Sequence, residues 1–481
     1  MHSTTLVEVV RALGKRDRAE LMQWVGSSFV NRRPEVTRLC KYLCQHVPMS
    51  DQPDSSSPLS KEEVYRHAFP EQRIYDGPRM RHTISYLFKA LKNWVAWKEW
   101  KQDETLTQFS YLCKALRKKV GERVFKKEFR ALSLAPATRQ SIDYHLAQYQ
   151  IRFEKWEAEH RAGIKETDQL MAASASFGAF VAASALRHGC AALDKSGAAD
   201  FEPESIYYLP ETIGMVSGGA FGDIPAVQIY YYCYRIMEEG QDGQFTALKT
   251  LLAKNSNLFP AEEMRDVYMV AINFCIRRLN TGTRVYVREA FDLYRNGLEQ
   301  GIMLDHGRMT KSTYQNIMQL ALALNEWNWA RQFLDDYRQT LAPGERHNAY
   351  HFNLAMWYFR KKEYEAAQDI LRSVEFRDVG YNLDARRMMV RIYYDRGEVV
   401  ALDSLLHSFI AYLQRHRNIG YHRDLNLNFV RYVRRLIQSE PGNTAALEKL
   451  HAQISHEKYL AEREWLLEKA GFSSAGTERP F

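Results

Sequence analysis

Two cysteines and a histidine form a short grouping whose residue types are able to bind a metal ion. Cys40 and Cys44 lie one helical turn apart, and His46 follows them. Structural zinc requires about four such ligands in a tetrahedral arrangement, and this grouping supplies only three. Both cysteines also fall on the apolar side of a predicted helix. We therefore interpret them as core residues and expect neither a metal nor a cofactor.

The sequence has no recognisable catalytic motif. Its 15 histidines are scattered, with no glycine-flanked nucleophilic serine and no His-Glu-x-x-His motif. The helical pattern breaks over residues 200–224, and the glycine-rich stretch GMVSGGAFGDIP found there lacks the Lys-Ser/Thr ending of a P-loop. We interpret this stretch as a connection between helices, and we expect a protein without enzymatic activity.

Six arginines form the densest positive cluster in the C-terminal half of the chain. Guanidinium groups bind carboxylates and phosphates, so such a cluster on a helical-repeat surface suits an acidic peptide or an RNA backbone. Ordinary solvated surface is the alternative. The candidate partner-binding residues are Arg415, Arg417, Arg423, Arg431, Arg434 and Arg435.

Positive charge is also concentrated in the first 130 residues. They carry 25 Lys and Arg against 15 Asp and Glu, whereas the whole chain has a net charge of +8. This asymmetry indicates a module that binds either phosphates or an acidic partner. Ordinary solvated helix surface is the alternative.

Part of this basic segment resembles the helical portion of winged-helix DNA-binding domains attached to repeat-containing bacterial regulators. The resemblance rests on LSKEEVYRHAFP and MRHTISYLFKALKNW, within residues 59–95. It implies that a helix from Arg79 to Leu91 enters the major groove. The side chains it would place near DNA are Arg79, Arg81, His82 and Lys89. The chain departs from those domains because no β-hairpin wing is predicted after Trp94.

The elements that must position all these residues are predicted to be helices. A hydrophobic fraction of 46%, a charged fraction of 26% and only 14 prolines are typical of a folded protein. Apolar residues recur at three- and four-residue spacing after Pro34 and again from Met80, which predicts helices with one buried face. Ser60 and Glu63 have the spacing of a capping box at a helix start. We predict an all-α fold.

The N-terminus and the cysteine content favour a cytoplasmic location. The first 20 residues lack the apolar core of a secretory signal, and six cysteines are too few for a disulfide scaffold. Leu170 to Leu186 is uncharged, but it is at the short limit for crossing a bilayer and is rich in Ala and Ser. We interpret it as a closely packed, buried helix and expect no membrane partner.

Beyond residue 225 the chain has the pattern of tandem helix pairs. In HFNLAMWYFRKKEYEAAQDILRSVEFRDV, Ala355 and Ala367 occupy the two small positions of a tetratricopeptide repeat, where the paired helices approach closely. Neighbouring units fit the same frame near the expected period of about 34 residues. Gln368 is predicted to face solvent. A single helix from Ala445 to Lys469 is predicted to cap the array.

These patterns predict four segments. They are a basic helical module over residues 1–130, a helical connecting region with the glycine-rich loop over 131–224, a tetratricopeptide-like α-solenoid with its capping helix over 225–470, and a flexible tail over 471–481.

The whole chain also resembles a family of uncharacterised bacterial helical-repeat proteins, through FVNRRP, KEEVYRHAFPEQRIYDGPRMRHTISYLFKALKNWV, FNLAMWYF and ARRMMVRIYYDRGE. The resemblance implies this architecture but assigns no activity. We expect a scaffold that binds a protein or peptide, with a nucleic-acid-binding regulator as the alternative.

Overall fold

The computed structural model describes residues 5–48, 60–72, 74–102, 108, 111–112, 114–115, 140–161, 163–196, 202–374, 378–416, 420–439 and 444–471. Within these residues there are 21 α-helices, three short 3-10 helices and no β-strand. The prediction of an all-α fold is confirmed. The described residues divide into two compact units, drawn from Met1–Gly189 with Glu202–Gln228 and from Cys190–Phe201 with Ile229–Phe481.

The first eight helices begin and end as follows: α1 Thr5–Ala12, α2 Lys15–Gly26, α3 Pro34–His46, α4 Lys61–Ala68, α5 Gly77–Gln102, α6 Ile142–Arg161, α7 Asp168–Ser196 and α8 Leu209–Ser217. The remaining helices are α9 Pro225–Glu238, α10 Asp242–Asn255, α11 Ala261–Asn280, α12 Val285–Glu299, α13 Lys311–Ala323, α14 Trp327–Asp336, α15 Pro343–Arg360, α16 Tyr364–Ser373, α17 Val379–Asp395, α18 Val399–Arg415, α19 Tyr421–Gln438, α20 Thr444–His456 and α21 Arg463–Ala470.

The first unit has a core built by α1 to α5. Helix α3 contacts α1, α2, α4 and α5, and its apolar side is buried, including Leu39, Leu43 and both cysteines. Pro34 is the first residue of α3, where a missing backbone N–H costs nothing. The Ser60 hydroxyl accepts a hydrogen bond from the backbone N–H of Glu63 at 3.2 Å, which confirms the predicted helix start.

A buried arginine ties three of these helices together. The guanidinium of Arg18, on α2, donates hydrogen bonds to the backbone oxygens of Val10 at 2.9 Å and Leu13 at 3.1 Å, at the end of α1. It also donates to Cys44 at 2.9 Å and Val47 at 2.7 Å, at the end of α3. The last carbonyls of a helix have no partner within that helix, so Arg18 supplies the missing donors at both ends.

A break at Leu13–Gly14 separates α1 from α2. Two predictions from the sequence are wrong. The glycine-rich stretch was expected to be a connection, yet its first four residues continue α8 to Ser217. The predicted single terminal helix is two, α20 and α21, because the Arg463 guanidinium donates to the carbonyl oxygens of Ile454 and Ser455 and so ends α20.

The uncharged stretch at 170–186 lies within α7, as predicted. The helix buries one face that is rich in small residues, including Ala179 and Ala183, while Met171 and Phe177 on the other face are exposed. By length and composition alone, the segment Asp168–Lys195 is able to cross a membrane. The absence of a membrane partner stays a prediction.

In the second unit, helices that follow one another along the chain also pack together. Helices α11 and α12 form a pair, as do α13 and α14, α15 and α16, and α17 and α18. The first helices of the last three pairs also contact one another in order, α13 with α15 and α15 with α17, so these three helices form a row. This row forms three sides of the cleft described below.

Enlarging the side chain of Ala367 tests whether α15 and α16 pack closely at this position. Ala355 and Ala367 are fully buried, as predicted, but Gln368 is also buried and does not face solvent. Ala367→Leu is expected to lower the free energy of unfolding by about 1–3 kcal/mol, because it overpacks the contact. Asp369→Ala, on the exposed side of α16, is the matched control and should change it by less than about 0.5 kcal/mol. Chemical denaturation measures both, and equal losses would contradict this assignment of the buried face.

Candidate functional site

A cleft of about 450 Å³ lies along the row of α13, α15 and α17. Its sides carry Gln315 and Gln319 from α13, Phe352 and Met356 from α15, and several charged residues from α17. The segment 462–468, at the start of α21, closes the remaining side. The cleft therefore combines apolar and polar walls with part of the chain's own C-terminal helix.

Two arginines on α17 bind one carboxylate in this cleft. Arg387 and Arg391 are four residues apart, which places them on the same face of the helix. The Glu462 carboxylate accepts a hydrogen bond from Arg387 Nε at 3.2 Å and another from Arg391 Nη1 at 2.8 Å. Hydrogen bonds between ionised groups are stronger than neutral ones, and two donors fix the orientation of the carboxylate.

Other polar groups hold Arg387 in place. Its Nη1 donates to Oδ1 of Asn426 at 3.1 Å, and Asn426 is itself fully buried on α19. Its Nη2 pairs with the carboxylate of Asp384, one turn earlier on α17. All three nitrogens of the guanidinium thus have partners, so this side chain is positioned before a ligand arrives.

Aromatic rings surround Arg391. Its guanidinium carbon lies 4.8 Å from the centre of the Phe359 ring and 5.7 Å from that of Trp465, both within cation–π range. Tyr394, one turn further along α17, meets Trp465 edge-on with ring centres 5.2 Å apart. Arg391 therefore contacts both aromatic rings and the Glu462 carboxylate.

Burial shifts the titration of two groups in the cleft. Burial, followed by repulsion from Arg391, lowers the pKa of the Arg360 guanidinium at the end of α15. Burial raises the pKa of the Asp384 carboxyl and outweighs the opposing effect of Arg387. Four arginines line the cleft together with the carboxylates of Asp384, Glu462, Glu464 and Glu468, so removing Glu462 would leave an excess of positive charge.

A larger cleft of about 760 Å³ lies in the first unit, between α2 and α5. Its walls carry Trp24 and Trp97, whose ring centres are 5.2 Å apart. Lys98 pairs there with Asp17, and Arg16, whose side chain is 92% exposed, pairs with Glu20. The arginine cleft on α17 is the candidate site because Arg387 and Arg391 are mostly buried and bind one carboxylate.

The structure does not gather the predicted C-terminal arginines into this cleft. Arg431 pairs with Glu457, and the guanidinium of Arg435 lies 5.7 Å from the ring centre of Tyr432. Arg415 is exposed at the end of α18. Arg423 and Arg434 are half-buried on α19, and Arg417 lies outside the described residues.

Arg387 and Arg391 are not among the binding residues that the sequence predicts. Both stand within ARRMMVRIYYDRGE, in which two arginines are spaced four residues apart on the first helix of a predicted pair. That spacing, which places both side chains on one face of the helix, is the signal that the sequence contains. Their partner Glu462 is 71 residues beyond Arg391, and no local pattern links the two.

The predicted nucleic-acid contacts are all exposed on α5. Met80, Leu87 and Trp94 of this helix face the core, and helical geometry places Arg81, His82 and Lys89 on the opposite side. Arg79 lies at the edge, with its guanidinium carbon 4.6 Å from the centre of the Phe69 ring.

Cys40 and Cys44 are core residues, which confirms their interpretation. A hydrogen bond with the Cys44 thiol, together with burial, raises the pKa of Cys40. Within the described residues, no group of three or more His, Cys, Asp or Glu side chains has a geometry suited to a metal ion.

Comparisons of the chain with protein-family models, with curated proteins and with solved structures found no match. The resemblance to uncharacterised bacterial helical-repeat proteins therefore stays a prediction.

Proposed function

We propose that this chain is a non-enzymatic, cytoplasmic binding protein that holds a protein or peptide partner in the cleft along α13, α15 and α17. In this proposal the helix pairs of the second unit form a tetratricopeptide-like array. The contacts from α13 to α15 and from α15 to α17 support it, because stacked repeats contact their neighbours and build a continuous binding surface.

The carboxylate site formed by Arg387 and Arg391 is the observation that carries the proposal. Both arginines face a cleft that also offers apolar surface from Phe352, Met356 and Phe359. Binding sites on proteins combine such apolar walls with a few positioned polar groups that set specificity. An acidic peptide segment is the ligand that this combination favours.

Selection from a random peptide library on the immobilised full chain tests the proposal. Bound peptides are expected to be enriched in Asp and Glu, and their binding should be weaker to a chain carrying Arg387→Gln and Arg391→Gln. Peptides without acidic residues, or peptides that bind both chains equally well, would contradict it.

A nucleic-acid-binding regulator is the second candidate function. It is supported by the exposed side of α5, where Arg81, His82 and Lys89 point away from the core. Fluorescence anisotropy of the full chain with duplex DNA, at two salt concentrations, tests it. Affinity that falls steeply with salt and is reduced by Arg81→Ala with Lys89→Ala supports this function, whereas no binding at low salt excludes it.

A further inference from the structure

We infer that helix α21 is a tethered occupant of the arginine cleft, and that the ligand displacing it is an acidic peptide segment with an aromatic residue three positions after a glutamate. This inference rests on the proposed function and names the class of ligand. In this inference, Glu462 and Trp465 make the contacts with the cleft that side chains of the ligand would otherwise make.

The contacts between α21 and α17 have the form of a helical peptide bound to a helical surface. Trp465 and Lys469 lie one turn apart on α21 and share one face, and Glu462 immediately precedes the helix. Glu462 binds the two arginines, and Trp465 packs against Arg391 and Tyr394. The Lys469 ammonium lies 2.8 Å from the carboxylate of Asp395. Anchors at such spacing are the usual means by which a groove recognises an amphipathic helix.

Helix α21 is short, and it packs on α20 and α19 with Leu466 and Ala470 buried, so its exchange exposes these side chains as well as releasing Glu462. It has eight residues, and isolated helices shorter than about 12 residues are marginal in water. Glu462 also holds a left-handed backbone with φ at +53°, which is unfavourable for a residue with a β-carbon. A ligand that carries a glutamate and an aromatic residue is able to make the contacts of Glu462 and Trp465. The left-handed backbone of Glu462 is then no longer required.

The cleft retains a donor that Glu462 does not use. Arg391 Nε is buried and has no hydrogen-bond partner among the described residues, although Nη1 of the same side chain binds Glu462. A separate ligand, free of the connection between α20 and α21, is able to place an acceptor there. An unmade hydrogen bond to a buried charged group is costly, so making it favours the ligand over α21.

Release of α21 would leave it tethered to the second unit. The Arg463 guanidinium donates to the carbonyl oxygens of Ile454 at 2.9 Å and Ser455 at 2.7 Å, at the end of α20. The backbone N–H of Ala461 donates to the carbonyl oxygen of Leu425 at 3.3 Å. A tethered segment competes at a high effective concentration, so the intact chain should bind an external ligand weakly.

A synthetic peptide that copies residues 460–470 (LAEREWLLEKA), labelled at its N-terminus, is the probe for this competition. It is titrated against the full chain and against a variant with Glu462→Gln and Trp465→Ala. The variant is expected to bind the peptide at least tenfold more tightly, because its own segment no longer fills the cleft. Adding Arg387→Gln and Arg391→Gln to the variant should remove that gain.

The matched control changes the same residue types outside the cleft. Glu448→Gln with Tyr459→Ala alters exposed positions on and just after α20, and it should leave the peptide affinity within twofold of the unchanged chain. Circular dichroism establishes that each variant is folded. Hydrogen exchange of the unchanged chain gives a second readout, because saturating peptide should speed exchange over Leu466 to Ala470.

Equal affinity of the unchanged chain and the released variant would overturn the inference, as would exchange in α21 that saturating peptide leaves unaltered. Failure of the peptide to bind either chain would overturn it too. The proposed function would still be supported in that event if library-selected acidic peptides bind and their binding depends on Arg387 and Arg391. If neither peptide source binds, both ideas fail.

Discussion

Replacing Arg387 and Arg391 together with glutamate is expected to weaken the binding of a library-selected acidic peptide by at least about 100-fold. Removing one partner of a buried, hydrogen-bonded charge pair costs about 2–5 kcal/mol, and about 1.4 kcal/mol corresponds to a tenfold change in affinity. The new carboxylates also repel Glu462, so the loss cannot be ascribed to tighter occupation of the cleft by α21. Isothermal titration measures the effect.

The control for this experiment is the same change of charge in the arginine cluster that the sequence suggested. Arg415→Glu with Arg435→Glu alters the net charge equally, but both residues lie outside the lining of the cleft. Affinity should fall by less than about threefold, as expected for peripheral charges that act through long-range steering. Equal losses from the two pairs would mean that the peptide responds to net charge and not to the cleft.

Arg18→Met is expected to lower the free energy of unfolding of the first unit by more than about 3 kcal/mol. The methionine fills much of the same volume but leaves the carbonyl oxygens of Leu13, Cys44 and Val47 without the donors that Arg18 gives them, while that of Val10 keeps the backbone N–H of Leu13. Each unsatisfied buried acceptor costs about 1–3 kcal/mol. Thermal and chemical denaturation of the full chain measure this loss.

Arg16→Met is the matched control for Arg18, on the same helix. The Arg16 side chain is 92% exposed, and its ion pair with Glu20 lies at the surface. A surface pair contributes about 0–1 kcal/mol, so the control should be nearly neutral. If Arg18→Met were equally mild, the hydrogen bonds to the ends of α1 and α3 would contribute little to stability.

The helices were predictable where local chemistry determines them. Pro34 begins α3 because proline suits the first turn of a helix, and Ser60 begins α4 because its hydroxyl accepts the hydrogen bond of a free backbone N–H. The fully buried side chains of Ala355 and Ala367 agree with the spacing expected for a closely packed pair. In each case the deciding contacts lie within a few residues.

The failures have the opposite origin. Gln368 was placed in solvent by its polarity, but packing of the surrounding helices buries it. The break between α20 and α21 depends on Arg463 reaching back to carbonyl oxygens on the preceding helix. The carboxylate site joins Arg387 to Glu462, which are 75 residues apart. Periodicity within one helix carries no information on such contacts.

Site-specific photocrosslinking tests most directly whether the row of α13, α15 and α17 is the binding surface. A photoreactive residue replaces Gln319, which lines the cleft, or Asp369, which is exposed on α16, and the chain is irradiated with a library-selected acidic peptide. The account predicts crosslinking from position 319 that excess unlabelled peptide abolishes, and background crosslinking from position 369. Specific crosslinking from position 369, with only background at 319, would contradict it.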